Sequence, residues 1–290
     1  MYLVFDIGGS STKYALIENE KIIMKDSEKS LPTMKEFLKF LEETIETFLK
    51  DYDIEAIGFS SPGTVDSKSL KVGGLSALNY LAEENFASLI EDKYSIPVAI
   101  ENDANCAALG EIYYKKPKEN LLAFVIIGSG IGGALVKDSK IIRGLSLESG
   151  EFGYMLFNDF GKIKNLSSLG TLPNVRRTIK EKYGIDLDTY EIFDKYLKKE
   201  NPFYEEVDKM FTYLAMGLYN IAYAINPEVI YIGGAISEDE RFINSLKEKL
   251  QDDIFSGVSL NIRPVSFFND NNLYGAYANI KLKEERIKND

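Results

Sequence analysis

Leu3 to Ile23 reads LVFDIGGSSTKYALIENEKII, and Val125 to Ile142 reads VIIGSGIGGALVKDSKII. The two segments are variations on one pattern, offset by 119 residues: Gly9 and Ser10 fall on Gly128 and Ser129, and Ala15, Leu16, Lys21, Ile22 and Ile23 fall on Ala134, Leu135, Lys140, Ile141 and Ile142. In each, an apolar, β-prone run enters a glycine turn and a second strand leaves it. A duplicated strand, glycine turn and strand predicts two similar domains facing each other, with the phosphate chain of a nucleotide between the turns.

Composition narrows the partners. The 290 residues are 45% hydrophobic and 27% charged, the balance of a globular chain with one large or two medium domains. A net charge of −11 argues against nucleic acid and anionic membrane surfaces, which require clustered positive charge, so a small molecule is the expected partner. No apolar run reaches the roughly 18 residues that span a bilayer, and the chain enters a strand without a basic leader, so a cytoplasmic location is expected. Cys106 is the one cysteine and histidine is absent. Intrachain disulfides, serine-histidine triads and histidine-containing zinc sites are thereby excluded, and acid-base chemistry falls to carboxylates, lysine, tyrosine or the thiol.

Working outward from the first turn, alternation over Tyr14 to Ile17 and Lys21 to Met24 predicts an antiparallel hairpin around Glu18-Asn19-Glu20. Thr33 and Glu36 form a capping-box pattern at the start of a helix expected over about 34–50, with Met34, Phe37, Leu38, Leu41, Ile45 and Phe48 at helical spacing. Strands are expected at Ile54 to Phe59, broken by Pro62-Gly63, and at Pro97 to Ile100. A helix then opens at Glu101-Asn102-Asp103-Ala104-Asn105 and runs to about Tyr114. Lys115 to Asn120 reads as a crossing, giving an N-terminal α/β domain at 1–114 and a C-terminal α/β domain at 115–274. In the second, Leu121 to Ile127 is a strand, Phe203 to Ile225 a long helix stopped at Pro227, and Val229 to Ile232 a buried strand ending in Gly233-Gly234. Helices are also expected near 238–250 and 275–288, the last packing back on the first domain.

Asp6-Ile7-Gly8-Gly9-Ser10-Ser11-Thr12-Lys13 sets an acid at a strand end before a turn whose glycines let backbone N–H groups approach an anion. Such an acid would hold a hydrated magnesium ion; an ordinary tight hairpin is the competing reading. Gly128-Ser129-Gly130-Ile131-Gly132-Gly133 is denser in glycine, which costs backbone entropy without adding packing. Neither turn is a Walker loop, since no Gly-Lys-Ser or Gly-Lys-Thr occurs. The spacing of the second turn matches a dinucleotide fingerprint, but a strand is expected to follow it where that fingerprint needs a helix. Asn102 and Asp103 lie between a strand end and a helix N-terminus, where N–H groups favour an ionised carboxylate. Use of Asp103 as a simple N-cap competes with a site, and the polar pair Glu101 and Asn102 at a buried strand's carboxyl end favours the site. Glu151, in a Ser-Gly-Glu-Phe-Gly turn, is a candidate second polar contact.

Taken in order, Asp6 to Gly9, Ser61-Pro62-Gly63-Thr64-Val65-Asp66, Glu101 to Asn105, Gly128 to Gly133, Gly150-Glu151-Phe152-Gly153 and Ile232-Gly233-Gly234 resemble the motifs of ROK-family sugar kinases, from about residue 3 to 280. The resemblance implies an α/β fold of two RNase H-like domains of the actin-like ATPase superfamily, with an active-site cleft between them. It implies that Asp103 is the general base toward the attacking sugar hydroxyl, and that Gly63, Asn79, Asn102, Asp103, Glu151 and Tyr154 face the sugar. It assigns Asp6, Gly8, Gly9, Ser10, Thr12 and Lys13 to the first phosphate loop, Gly128, Ser129, Gly130, Gly132 and Gly133 to the second, and Gly233 and Gly234 to the adenosine side. ATP and Mg2+ are the implied cofactors, the ion reaching Asp6 through water.

Two departures from the family stand out. Tyr154 occupies the position of a zinc-binding histidine and no cysteine lies in Asn158 to Ser168, so zinc is not expected and packing by Phe157, Phe160 and Leu166 is expected to hold that loop. Asn165 falls near a sugar-contacting glutamate of the family. The resemblance implies 6-phosphorylation of a hexose or N-acetylhexosamine, with N-acetylmannosamine as first choice and glucose, a β-glucoside or fructose as rivals, and a homodimer. A sugar-responsive regulator of the same family would need a DNA-binding module before Asp6, where five residues precede it; a silent sugar-binding protein is opposed by Asp103.

Overall fold

Residues 1–74, 76, 78–257 and 259–289 are described by a computed structural model. Two units divide the chain: residues 1–117, 143–148 and 269–290 form the first, and residues 118–142 and 149–268 the second. The division after Pro117 falls in the charged stretch expected to cross between domains. It differs from the expected 1–114 and 115–274 in grouping residues 115–117, 143–148 and 269–274 with the first unit.

In the first unit, β1 (Tyr2–Ile7), β2 (Ser11–Glu18) and β3 (Lys21–Lys29) run antiparallel, and Asn19 and Glu20 close the β2–β3 hairpin with φ of 48° and 65°. Two left-handed residues give the turn the twist that suits a tight hairpin. Helix α1 (Met34–Leu49) follows, with the Thr33 side chain accepting the Glu36 N–H and Met34, Phe37, Leu41, Ile45 and Phe48 buried along one face. Strand β4 (Ala56–Ser61) is buried at every position, as a strand covered on both faces must be. A short ladder of β5 (Thr64–Asp66) and β6 (Lys71–Gly73) leads to α2 (Phe86–Tyr94), then β7 (Val98–Asn102) and α3 (Asp103–Lys115). The sheet order is β3-β2-β1-β4-β7, with β1, β4 and β7 parallel.

The second unit repeats this plan. Strands β8 (Leu121–Ile127), β9 (Ile131–Lys137) and β10 (Lys140–Ile141) precede a hairpin of β11 (Leu156–Asp159) and β12 (Lys162–Asn165) and helices α4 (Leu166–Leu169), α5 (Leu172–Tyr183), α6 (Thr189–Leu197) and α7 (Phe203–Ile225). Strand β13 (Val229–Gly233), α8 (Glu240–Lys249) and β14 (Ile262–Pro264) complete a sheet of order β10-β9-β8-β13-β14. The chain ends in α9 (Asn271–Asn289), which packs on α3, β1, β4 and β7 of the first unit. It starts four residues before the expected 275 because Gly275, which reads as a helix breaker, is the point where α9 crosses α3: a Cβ there would overlap the Cys106 carbonyl.

The ladders refine the repeat. Leu3 faces Leu16 in β1–β2, whereas Ala123 faces Leu135 in β8–β9, so with Leu16 set on Leu135 the first strand shifts by one residue relative to the uniform offset. The extra residue lies in the first turn: Ile7 pairs with Thr12, but Ile127 with Ile131. Gly8 closes its turn by donating to the Ser11 carbonyl (3.0 Å), and Gly128 donates to the Gly130 carbonyl (2.8 Å). Gly8, not Gly9, is therefore the structural counterpart of Gly128.

The β11–β12 hairpin stands where a packed loop is expected. Its turn is Phe160-Gly161, both left-handed at φ 48° and 84°, and a phenylalanine hides the turn signal that asparagine would give. Phe157 and Leu166 are buried as expected, but Phe160 is 90% exposed, its ring lying under the Lys209 ammonium at 4.8 Å. The expectation that Phe160 packs the loop is corrected by its place at the hairpin tip. Buried Asp159 holds the hairpin, meeting Lys164 and Lys209 at 2.7 Å each and accepting the Tyr213 hydroxyl at 3.0 Å. Burial alone would raise this carboxyl, but the lysine and tyrosine bonds outweigh it and hold the group well below the usual carboxylate range. That stabilisation is present above the unfolded carboxyl pKa and is lost as acid protonates the folded group. We expect Asp159→Asn to cost about 1–3 kcal/mol in denaturant unfolding at pH 7, and Phe160→Ser less than about 0.5 kcal/mol. The reverse ranking would restore the aromatic as the anchor.

Candidate active site

In the first unit the polar residues collect at the carboxyl ends of three adjacent parallel strands, the side of an open α/β sheet where ligands bind. Asp6, next to last in β1, is buried; its Oδ1 accepts Ser60 Oγ (3.1 Å) and Asn272 Nδ2 (3.0 Å), and Lys13 Nζ lies 3.9 Å from Oδ2. Burial raises the Asp6 carboxyl, and Asn272, Lys13 and Ser60 work against that shift. Lys13 is itself tied by donating to the Asn269 carbonyl at 3.0 Å. Ser60 and Asn272 escaped sequence reasoning: Ser60 lies just past the expected strand end at Phe59, and Asn272 is 266 residues from Asp6. The register Asp6↔Ser60 across β1–β4 is what brings the first pair together.

At the end of β7, Asn102 is the N-cap of α3. Its Oδ1 accepts the N–H groups of Ala104 (2.9 Å) and Asn105 (3.1 Å), and its Nδ2 donates to the Gly63 carbonyl (2.9 Å). Gly63 sits at φ 91°, where a Cβ would also press on the Gly73 carbonyl at 2.6 Å, so glycine is required. Asp103 is the first helical residue. The cap role is thus taken by its neighbour, and the Asp103 carboxylate, half-buried, accepts the Ala104 N–H at 2.8 Å on Oδ1. Burial pushes Asp103 up to about 6, against the Ala104 bond and with help from the charge on Asp6. A carboxylate near neutrality can both ionise and accept a proton at cellular pH. Glu101, fully buried, accepts the Asn102 N–H and Asn105 Nδ2 (3.0 Å each) on Oε1 and Arg143 Nη2 on Oε2. Asn79 is exposed at the start of a short 3-10 turn, Asn79–Ala82. Of the remaining first-turn residues, Gly9 and Ser10 are exposed, Gly8 is half-buried and Thr12 is buried.

In the second unit, Gly128 and Ser129 are exposed and Gly130 is half-buried at the tip of the β8–β9 hairpin; a Cβ on Gly128 would meet nothing within 4 Å. Gly132 and Gly133 lie inside β9, opposite Ile126 and Val125. Gly133 is buried, and a Cβ there would overlap the Gly150 carbonyl and the Phe152 ring, so its missing side chain serves packing. Strand, not helix, follows this turn, in keeping with the rejection of a dinucleotide fold. Gly233 ends β13 beside Ile126, and Gly234, at φ 90°, turns the chain into a 3-10 segment where it accepts Ser237 Oγ at 2.7 Å. Next to Gly128 and Ala235 lies a mainly apolar cavity of about 140 Å³ walled by Leu172, Pro173, Tyr190 and Ile236. Its size and apolar lining suit a heteroaromatic ring. Glu151 precedes a 3-10 turn, Phe152–Tyr154, with Tyr154 half-exposed. Asn165 caps α4, accepting the Ser168 N–H at 3.0 Å.

The Asp6 oxygens fit a hydrated divalent cation. They are hard oxygen donors of the kind such an ion takes, and among the described residues no group of three or more His, Cys, Asp or Glu lies together. Among the described residues, too, no helix is long and apolar enough to cross a membrane.

The family pattern described as the ROK family matches residues 2–282. A β-glucoside kinase of Klebsiella pneumoniae is 31% identical over 94% of this chain and 93% of its own. The crystal structure of a ROK family protein from Streptococcus pneumoniae, in complex with sucrose, superposes with a TM-score of 0.87 at 32% identity, covering 98% of this chain and 99% of that one. A candidate N-acetylmannosamine kinase from Listeria monocytogenes gives a TM-score of 0.86 at 28% identity, covering 97% and 99%. With the family pattern running almost end to end and relatives above 30% identity aligned over nearly their whole length, this chain belongs to the ROK family.

Proposed function

We propose that the protein is an ATP-dependent sugar kinase that transfers the γ-phosphoryl group to the 6-hydroxyl of a hexose or N-acetylhexosamine. The observation that carries the reading is Asp103: a carboxylate freed from capping by Asn102 and raised to about 6 at the carboxyl edge of the sheet. Its oxygen accepts the hydroxyl proton as the sugar oxygen bonds to phosphorus and ADP leaves. Phosphoryl transfer asks mainly for alignment and charge stabilisation, so one positioned base and backbone donors serve without histidine. Asn102 and Gly63 orient the sugar, and the exposed turns around Gly9 and Gly128 offer backbone to phosphate. The apolar cavity beside Gly128 and Ala235 is assigned to adenine. Asp6, steadied by Ser60 and Asn272, would hold magnesium through water; the bound ion would offset phosphate charge.

Two acceptors have support. N-acetylmannosamine is favoured by the Listeria monocytogenes structure, and a β-glucoside by the Klebsiella pneumoniae kinase. The test is ADP release from Mg-ATP against N-acetylmannosamine, N-acetylglucosamine, glucose, fructose and cellobiose. Preference for cellobiose would set aside N-acetylmannosamine, and no turnover with any sugar would sink the kinase reading.

A further inference from the structure

Arg143 lies in the short segment 143–148 between β10 and Glu151, which groups with the first unit although both its neighbours in sequence belong to the second. Its guanidinium meets Glu101, a carboxylate with no solvent exposure. Glu101 also receives the Asn102 N–H and the Asn105 amide on its other oxygen, while its backbone carbonyl lies 3.8 Å from the Cys106 sulfur. Asn102, Asn105 and Cys106 are thus bonded to Glu101 directly and Ala104 to the Asn102 cap, and Asp103 is held between them in the chain. Removing the cation strands a buried charge, and the cost of leaving that carboxylate unpaired loosens the junction built around it. Among the described residues the buried Arg143 Nε has no partner, and the guanidinium is held through its Nη2 bond to Glu101.

We infer that Arg143 is a positioning residue: through Glu101 it keeps the β7–α3 junction closed and holds Asn102 and Asp103 in working geometry. Nothing in the mechanism above requires it to touch substrate. Its effect on turnover rests on the kinase reading; its effect on the junction does not.

Cys106, the sole cysteine, gives a direct readout, because it is buried in the first turn of α3 and burial pushes its thiol well up. Under native conditions dithiodipyridine should modify it only when the junction opens. We expect Arg143→Met to speed this modification by on the order of 10-fold or more over a core control, Ile45→Ala, chosen for similar loss of global stability. Arg143→Lys should restore most of the protection. If Arg143→Met reacts no faster than the control, the inference is overturned. In the turnover arm, with a sugar the wild type accepts, Arg143→Met should lower kcat by on the order of 100-fold with the KM for ATP unchanged, as a misplaced base predicts. Normal kcat would also overturn it. A wild type inactive on every sugar would sink the kinase reading, while the thiol rates would still decide whether Arg143 closes the junction.

Discussion

Asp103→Asn is expected to lose turnover by roughly 10²–10⁴-fold while folding normally, and to be more resistant to heat than the wild type at pH 8. The loss follows from removing the proton acceptor while keeping shape. The gain follows from linkage. Burial pushes the folded Asp103 up to about 6 from an ordinary value of 3.8, so between those values the folded state binds more protons than the unfolded chain. Stability therefore falls as pH rises from about 4 to about 6 and stays at the lower level above it, by about 2–3 kcal/mol at most. A neutral amide escapes that cost. As the proposed base, the same group would set the acid limb of catalysis: kcat/KM should rise through about pH 6 as Asp103 ionises. Steady-state rates with thermal unfolding of both proteins at pH 5 and pH 8 check this. Full activity in Asp103→Asn would remove the base, and equal melting at both pH values would remove the buried charge.

Gly275→Ala should have the largest effect on stability. Alanine favours a helix interior by about 1 kcal/mol over glycine, so propensity alone predicts a gain. Packing opposes it more strongly. The added Cβ would overlap the Cys106 carbonyl, and the crossing cannot yield easily: Gly110 would meet the Asn271 carbonyl at 3.2 Å and Gly58 the Ala276 carbonyl at 2.9 Å if either carried a side chain. Two helices and a strand are therefore in backbone contact here. Forcing them apart should cost about 2–4 kcal/mol net, read as a lower urea midpoint with an unchanged slope. The same displacement would move Asn272 off Asp6, so remaining folded protein should turn over slowly. A raised midpoint would mean that α9 does not rest on α3 through this glycine.

Much of the fold was legible because its signals are local. The Thr33 cap with its apolar face foretold α1, and Phe203 to Ile225 foretold α7, which ends with Asn226 left-handed before Pro227. What went unread lacked such signals. Helix α5 is mostly polar with Pro173 near its start, and the β11–β12 turn uses Phe160 where asparagine would have announced it. Helix α6 did carry a legible sign, the capping box of Asp188 and Glu191, which went unused.

The candidate site divides in the same way. From sequence alone came the duplicated glycine turns, the absence of histidine that leaves chemistry to carboxylates, and Asp103 at a strand-to-helix junction, because each depends on neighbours in the chain. Tertiary structure alone decided that Asn102, not Asp103, caps α3, that Gly8 matches Gly128, and that Gly133 serves packing. It also decided that Asp6 leans on Asn272 and Glu101 on Arg143. Those choices depend on ladder register and on side chains meeting across the fold, where a shift of one residue exchanges buried for exposed and no local pattern records the outcome.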